Sequence, residues 1–360
     1  MFVALDAGQR PVTLRDHEQA KALVGDFVCP ACRRPVGIRN GRVMPAHFYH
    51  LGPPCAASEP ESAEHLAGKL WLMAYGQRRG FKPVLEQYYP QVRQRADVVW
   101  QQAGRALALE FQCSPISLER LAERSEGYRR LGVPVVWIMG KRYFARQPKA
   151  LQAKFLAWSR RHGWHLWFLD VRADRLVLWQ LAQGLLVTWY RPTASRRFRQ
   201  ATGPLPTKAA LGVATALRHR EPKAMALQAA SATQHRNLAG VPWLVHAAPT
   251  GLIGLPLPEW QLRAWWLLTF DAAPDIKKAA EAAFWQRFAA DRTPLVSAGA
   301  LLAAVAAQWH RVLTASGAWQ STATGWQWRQ PPAWYPTLEA KLAAVGREPA
   351  PTARPRNGRA

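Results

Sequence analysis

The period of the apolar positions changes along the chain, and the changes divide it. Up to about residue 57 the apolar runs are short and broken by Gly and Pro. Phe2–Leu5, Val12–Leu14 and Val36–Arg39 read as short strands, and "RNGR" predicts a tight hairpin turn at Asn40-Gly41. In "SEPESAEHLAGKLWLMAYGQRRG" the period becomes helical. Leu66, Leu70, Met73 and Ala74 form the stripe, Ser58 or Ser62 stands at the N-cap, and Gly80 ends the helix. Three strand-like runs follow, "KPVLEQYYP", "VRQRADVVWQ" and "RALALEFQC", the last two joined by the hairpin signal "QQAG". Ser117 then caps "LERLAERSEGYRRL", Gly132 closes it, and "VPVVWIM" is the uniformly apolar run of a strand buried on both faces. A strand–helix–strand unit of this kind is a right-handed parallel crossover.

Further strands, "WHLWFLDV", "RLVLWQL" and "LLVTWY", separated by "RAD" and "AQG" turns, extend or cap that sheet to about residue 192. From about 204 the chain is Ala-rich and helical, and "GREPAPTARPRNGRA" has too little apolar content to fold. The expected domains are a small N-terminal β segment (1–57), an α/β domain with a mixed sheet flanked by helices (58–192), a mainly helical, basic, Trp-rich C-terminal domain (193–345) and a disordered tail (346–360). The start "MFVALDAGQRPVTLRD" lacks the basic, then apolar, pattern of a signal peptide, and no apolar run reaches roughly 18 residues. Four cysteines in 360 residues do not make a disulfide framework, so a cytoplasmic protein is expected.

Charge changes the picture. The net charge is +25, of which residues 1–140 carry +5 and residues 141–360 carry +20, and 15 of the 18 tryptophans lie in the second stretch. A polyanionic partner is implied, and nucleic acid is the one that also stacks on aromatic rings. The cluster "SRRFRQ", with Arg196, Arg197 and Arg199 around Phe198, is the best local candidate for DNA contact and is expected in an exposed loop.

The candidate chemistry centres on "RALALEFQCS". A period of two puts Glu110 and Gln112 on one face of a strand that otherwise reads as buried, where a carboxylate needs a partner or a metal. Asp97, 13 residues upstream on the preceding strand, falls beside Glu110 in a hairpin. Two carboxylates that close repel unless a divalent cation sits between them. The upstream helix offers Glu61, His65 and Lys69 on one face and Glu64 on its edge. Metal-dependent phosphodiester hydrolysis needs such a set: carboxylates to hold Mg²⁺ or Mn²⁺, and a donor near the nucleophile. Gln112 donates only a neutral hydrogen bond, so Lys69 is the candidate for the positive charge. A purely structural role, with Asp97 and Glu110 paired to arginines such as Arg95, is the competing account.

Cys29-Pro-Ala-Cys32 has the spacing of a metal knuckle, with His47, His50 and Cys55 close behind. Thiolates favour zinc over Mg²⁺. The expected set is Cys29, Cys32, His50 and Cys55, with His47 as substitute for His50. Cys113 reads as a small buried hydrophobe.

An acidic helix, then Asp97, then Glu110-x-Gln112, then a helix resembles the PD-(D/E)XK nuclease core, with Gln where Lys is usual. Arg124-xxx-Tyr128 is similar to the polar-xxx-Tyr helix motif of RecB-type nucleases. "FVCPACRRPV", "HFYH", "ESAEHLAGK", "RADVV", "EFQCSPIS", "ERSEGYRRLG" and "VVWIMG" resemble, in order, the blocks of the competence protein CoiA family over roughly residues 25–140. "WHLWFLD" and "LPLPEWQLRAW" are similar to its later half more loosely. The resemblance implies DNA processing in natural transformation, after single strands enter the cytoplasm. The residues it implicates in catalysis are Glu64, His65, Lys69, Asp97, Glu110, Gln112, Arg124 and Tyr128. The alternatives are a non-catalytic protein that holds single-stranded DNA for recombination proteins, and a restriction or phage-defence endonuclease on the same core.

Overall fold

In the computed structural model of the protein, residues 1–53, 55, 61–145, 147, 149–181, 185–200 and 206–344 are described. Ser58, the "AQG" turn at 182–184 and the tail 346–360 lie outside them. The chain forms two compact units. One comprises residues 1–146, 165–179 and 187–198, and the other 147–164, 180–186 and the chain from 199 onward.

The first unit begins with β1 (Val3–Leu5), β2 (Pro11–Thr13), α1 (His17–Ala22), β3 (Phe27–Val28), β4 (Pro35–Arg39) and β5 (His47–His50). The strands make an antiparallel sheet ordered β2-β1-β3-β4-β5. The tight turn expected at Asn40-Gly41 is absent. Arg39 pairs with His47, so residues 40–46 form a seven-residue link. Asn40 is engaged elsewhere, donating its side-chain amide to the His17 carbonyl at 3.1 Å.

The same unit continues with α2 (Ala63–Arg78), β6 (Lys82–Leu85), β7 (Tyr88–Tyr89), β8 (Gln94–Arg95), β9 (Val98–Gln102), β10 (Arg105–Gln112), α3 (Leu118–Arg130) and β11 (Val135–Met139). After α4 (Ala150–Ala153) and β12 (Ala157–Ser159) come β13 (Gly163–Asp170), β14 (Arg175–Leu181), β15 (Leu185–Tyr190) and β16 (Ser195–Gln200). The large sheet has the order β16-β15-β14-β13-β11-β10-β9-β6. β6, β9 and β10 are antiparallel, and β10, β11 and β13 are parallel. Gln102 pairs with Arg105 across Ala103-Gly104, both at positive φ, the two-residue hairpin that "QQAG" signals. The apolar runs beyond β11 extend the sheet as expected. The "SRRFRQ" cluster is its edge strand, β16, rather than a loop, and Arg196, Arg197 and Arg199 are all exposed. Alternating residues suffice for an edge strand, and only the pairing with β15 reveals it.

Helix α2 is capped by Ser62, whose side chain accepts the His65 N–H. Glu61 therefore precedes the helix. The buried side of α2 is Leu66, Gly68, Lys69, Leu72, Tyr75 and Gly76, while Leu70, Met73 and Ala74 of the expected stripe are half-buried. The glycines explain the rotation. A Cβ on Gly68 would lie 2.0 Å from the Phe111 ring, and one on Gly76 would lie 2.4 Å from the Trp100 indole nitrogen. Without side chains there, the helix settles directly on β9 and β10 over Leu66, Leu72, Leu85, Val98, Leu109 and Phe111.

In the second unit, α5 (Pro206–Arg218), α6 (Pro222–Ala232), α7 (Glu259–Phe270), α8 (Lys278–Gln286), α9 (Ala298–Ala315) and α10 (Leu338–Ala343) give the helical character expected. A small sheet of β17 (Ile276–Lys277), β18 (Trp319–Ser321) and β19 (Gly325–Trp328), ordered β17-β19-β18, is an addition to it. Trp266 and Trp309 are fully buried in this unit. Glu281 accepts from Trp266 Nε1 (2.8 Å), Trp285 Nε1 (3.2 Å) and His310 Nε2 (2.7 Å), which satisfies the carboxylate and these two indoles together; Trp309 Nε1 has no partner among the described residues. Among the described residues no helix is long and apolar enough to cross a membrane.

Candidate functional site

A cavity of about 230 Å³ opens between the start of α2, the ends of β9 and β10, and α3; Glu64, His65, Asp97, Glu110, Gln112 and Arg124 all line it. The hairpin explains Asp97 and Glu110. Val98 pairs with Leu109, so the residues just beyond that pair meet at one end of the sheet. Asp97 Oδ2 accepts from the Phe111 N–H (2.8 Å) and from His65 Nε2 (3.1 Å). Burial alone would raise the Asp97 carboxyl, but the charge and hydrogen bond of His65, with Lys69 and Arg124 behind them, hold it well below the usual carboxylate range.

Glu110 is placed differently. Arg124 Nη2 lies 2.6 Å from both of its oxygens, and the Tyr128 hydroxyl donates to Oε1. Arg124 and Tyr128 are four residues apart on α3 and so share a face. Burial raises the Glu110 carboxyl, Arg124 opposes this, and Asp97 adds to the rise, with a net upward shift. Tyr128 is also raised, by burial and then by Glu110. Gln112 turns its amide to Ser114, donating to the carbonyl (2.9 Å) and to Oγ (3.1 Å). Glu64 Oε1 accepts the Lys141 N–H at 2.7 Å across Gly140, where a Cβ would sit 2.9 Å from that oxygen.

Lys69 does not reach the cavity. It is fully buried, pairs with Glu61 and with Glu86 (2.5 Å), and lies over the Phe2 ring at 5.2 Å. Cations that line the cavity are Arg95 and Arg124. Glu61 also takes the Met1 ammonium at 2.6 Å, Glu86 Oε2 accepts the Val3 N–H at 3.2 Å, and Arg95 lies 3.8 Å from both carboxylates. Burial opposes ionisation of Glu61 and Glu86, yet the surrounding cations hold both carboxyls well below their ordinary value. The sequence sets Glu61 and Lys69 on one face but hints at none of the other partners, because Glu86 and the N-terminal strand lie 17 and more residues from Lys69 and follow no helical or strand period.

The knuckle forms a second site. Arg33 N–H bonds to the Cys29 carbonyl and Cys29 N–H to the Arg34 carbonyl, both at 2.9 Å, with Arg33 at φ 61°, and this turn brings the two thiols to one side. Ligand atoms of Cys29, Cys32, His50 and Cys55 all lie within 4.8 Å of one another, a set that can hold a metal such as zinc. Burial raises the Cys29 thiol to about 11; Cys32 falls to about 6 because hydrogen bonds from Arg34 and His50 outweigh its slight burial. His47 is turned away, buried, with Nδ1 2.8 Å from the Pro45 carbonyl. Cys113 packs against the core below α2, and burial raises its thiol.

A mixed sheet flanked by helices, with an acidic cavity at its edge and a Cys/His cluster ahead of it, defines a nuclease-like α/β protein with an N-terminal metal-knuckle segment. The comparisons agree. The model described as competence protein CoiA, nuclease-like domain, matches residues 61–189, and that of the competence protein CoiA N-terminal domain matches residues 12–58. Both reach beyond the stretch 25–140 that carries the resemblance in sequence. Competence protein CoiA of Bacillus subtilis (strain 168) is 36% identical over 116 residues, which are 32% of this chain and 31% of that protein. No solved structure matches. Residues 12–58 and 61–189 thus carry the two domains described for the competence protein CoiA family.

Proposed function

We propose that this chain processes DNA in competence, cleaving phosphodiester bonds of incoming single strands in the cytoplasm with Mg²⁺ or Mn²⁺ at the acidic cavity. The observation that carries the reading is the convergence of Glu64, Asp97, Glu110, Gln112 and Arg124 on one cavity. The donor set fits a hard cation in part. Asp97 Oδ1 and Glu64 Oε2 accept no hydrogen bond among the described residues, so each has a carboxylate oxygen to give, whereas Glu110 must first release Arg124. Glu64 and Asp97, joined by Glu110, would hold a divalent ion there, which when bound would supply an ionised water and neutralise charge at phosphorus. The chain's own residues do the rest. His65 orients Asp97, Tyr128 fixes Glu110, and Arg95 and Arg124 bring the charge that a phosphate needs and Lys69 does not supply. Arg196, Arg197 and Arg199 on β16 contact backbone phosphates, and zinc at Cys29, Cys32, His50 and Cys55 holds the N-terminal segment folded.

A second reading is non-catalytic: the cavity binds single-stranded DNA, which passes to recombination proteins. It is favoured by one observation, that Arg124 already neutralises Glu110 while Gln112 stands where Lys is usual. The test is incubation of pure protein with labelled single- and double-stranded DNA in Mg²⁺, Mn²⁺ or chelator. Metal-dependent cleavage that is lost in Asp97→Asn and Glu110→Gln, with binding kept, supports the nuclease. Chelator-insensitive binding without cleavage supports the second reading.

A further inference from the structure

All 18 tryptophans lie in the described residues, and Trp158 alone is exposed, with 54% of its surface accessible. An indole offers a large flat apolar face with a polar edge, and here, on β12, it is exposed next to two exposed arginines, a combination suited to binding. The element is ordered. β12 pairs with β13 across the three-residue loop 160–162, and Gly163 at φ 62° supplies the left-handed residue such a hairpin needs. Buried Phe155 and Leu156 root β12, and Ala157 and Ser159 on either side of Trp158 are half-buried. The Ser159 hydroxyl accepts the His162 N–H at 3.2 Å and closes the turn. Trp158 is thus held outward by a rigid hairpin whose tip carries two exposed arginines, Arg160 and Arg161.

The charge around it selects the occupant. Residues 147–164, the stretch of this unit that carries Trp158, contain Lys149, Lys154, Arg160 and Arg161 and no Asp/Glu. An occupant that covers this indole must also answer the two neighbouring arginines, so it presents negative charge beside its flat face. A flat π-face beside two guanidinium groups matches a nucleotide, with the base on the ring and the flanking phosphates on the arginines. Double-stranded DNA keeps its bases stacked on each other and cannot offer that face. We infer that the β12–β13 hairpin is a stacking subsite for single-stranded nucleic acid, with Trp158 taking a base and Arg160 and Arg161 the adjoining phosphates. The inference rests on the DNA-binding reading above and adds strand selectivity to it, at residues that neither the acidic cavity nor β16 includes.

The test uses the full chain and fluorescein-labelled oligothymidylate and duplex DNA of equal length, in chelator, across a salt series. Trp158→Ala is expected to weaken single-strand binding roughly tenfold, leaving duplex binding and the salt slope unchanged, and Trp158→Phe to retain most of the affinity. Arg160→Ala with Arg161→Ala is expected to lower the salt slope by roughly one to two. Single-strand binding by Trp158→Ala equal to the parent's, or an equal loss on duplex, overturns the subsite and leaves the DNA-binding reading intact. A parent protein that binds neither DNA overturns both. A change of oligomeric mass in Trp158→Ala without any change in DNA affinity reassigns the hairpin to a protein contact and also overturns the proposal.

Discussion

Replacing Gly68 with alanine sets two effects of opposite sign against each other. In a helix interior alanine is favoured over glycine by about 1 kcal/mol, so on propensity alone α2 gains. The new methyl, however, would stand 2.0 and 2.3 Å from two carbons of the Phe111 ring, more than 1 Å inside ordinary contact. The ring has no room to retreat, since Phe111 is 2% exposed and packed with Leu66, Leu109 and Ile138. Overpacking of this kind costs about 3 kcal/mol, the upper end of the usual range, so the net loss is about 2 kcal/mol. Gly212, exposed on α5 with nothing within 4 Å of a new Cβ, isolates the propensity gain, and Gly212→Ala should stabilise its unit by about 1 kcal/mol. Urea unfolding of the two variants and the parent, followed by circular dichroism, reads both signs. Gly68→Ala at least as stable as the parent would refute the claim that α2 rests directly on β10. The variant should also weaken function, because Phe111 supplies the N–H that holds Asp97.

Three further outcomes follow from the geometry. Lys69→Met leaves Glu61 and Glu86 buried without their closest partner and should cost about 3–5 kcal/mol in urea unfolding, with Glu86→Gln added to it recovering part of the loss. The Glu61, Glu86 and Asp97 carboxyls are lower in the folded chain than unfolded, so their contribution is present above about pH 4.5 and is lost as pH falls through their folded values. Glu110, shifted upward, opposes them singly, so thermal unfolding at pH 3 should come well below that at pH 6. Elemental analysis of protein purified without chelator should find one zinc per chain, lost in Cys29→Ser and His50→Ala and kept in His47→Ala.

The parts legible in the sequence are those that local periods encode. The Glu110-x-Gln112 strand, its hairpin with the Asp97 strand, the caps Ser62 and Ser117, and the Cys/His spacing are all short-range patterns. What the sequence concealed depends on partners distant in the chain. Arg124 and Tyr128 both point to Glu110, which the family motif names without saying that one occupies it as a counter-ion. Lys69 reads as a spare cation because Glu61 precedes the helix instead of lying on it and Glu86 is 17 residues away with no periodic relation to it. β16 looked like a connector because three arginines in six residues resemble a solvated loop until the pairing with β15 is seen. The buried face of α2 is hard to read from sequence because a stripe of large apolar residues is easier to recognise than two glycines eight apart.

The cluster of Glu61, Lys69, Glu86 and Arg95 bears on modularity. Family boundaries divide this stretch at residues 58–61, as if an N-terminal module were joined to a separable catalytic one. In energy the boundary runs through a set of buried charges, with Phe2 covering Lys69 and the Val3 amide bonded to Glu86. Half of such a set is worse than none, because each missing partner strands a charge away from water. Chimaeras that graft the knuckle segment of one relative onto the sheet of another therefore inherit an incompatibility unless the cluster travels with both halves. The segment 1–95, cut after the cluster rather than before it, is the natural unit of exchange in this protein.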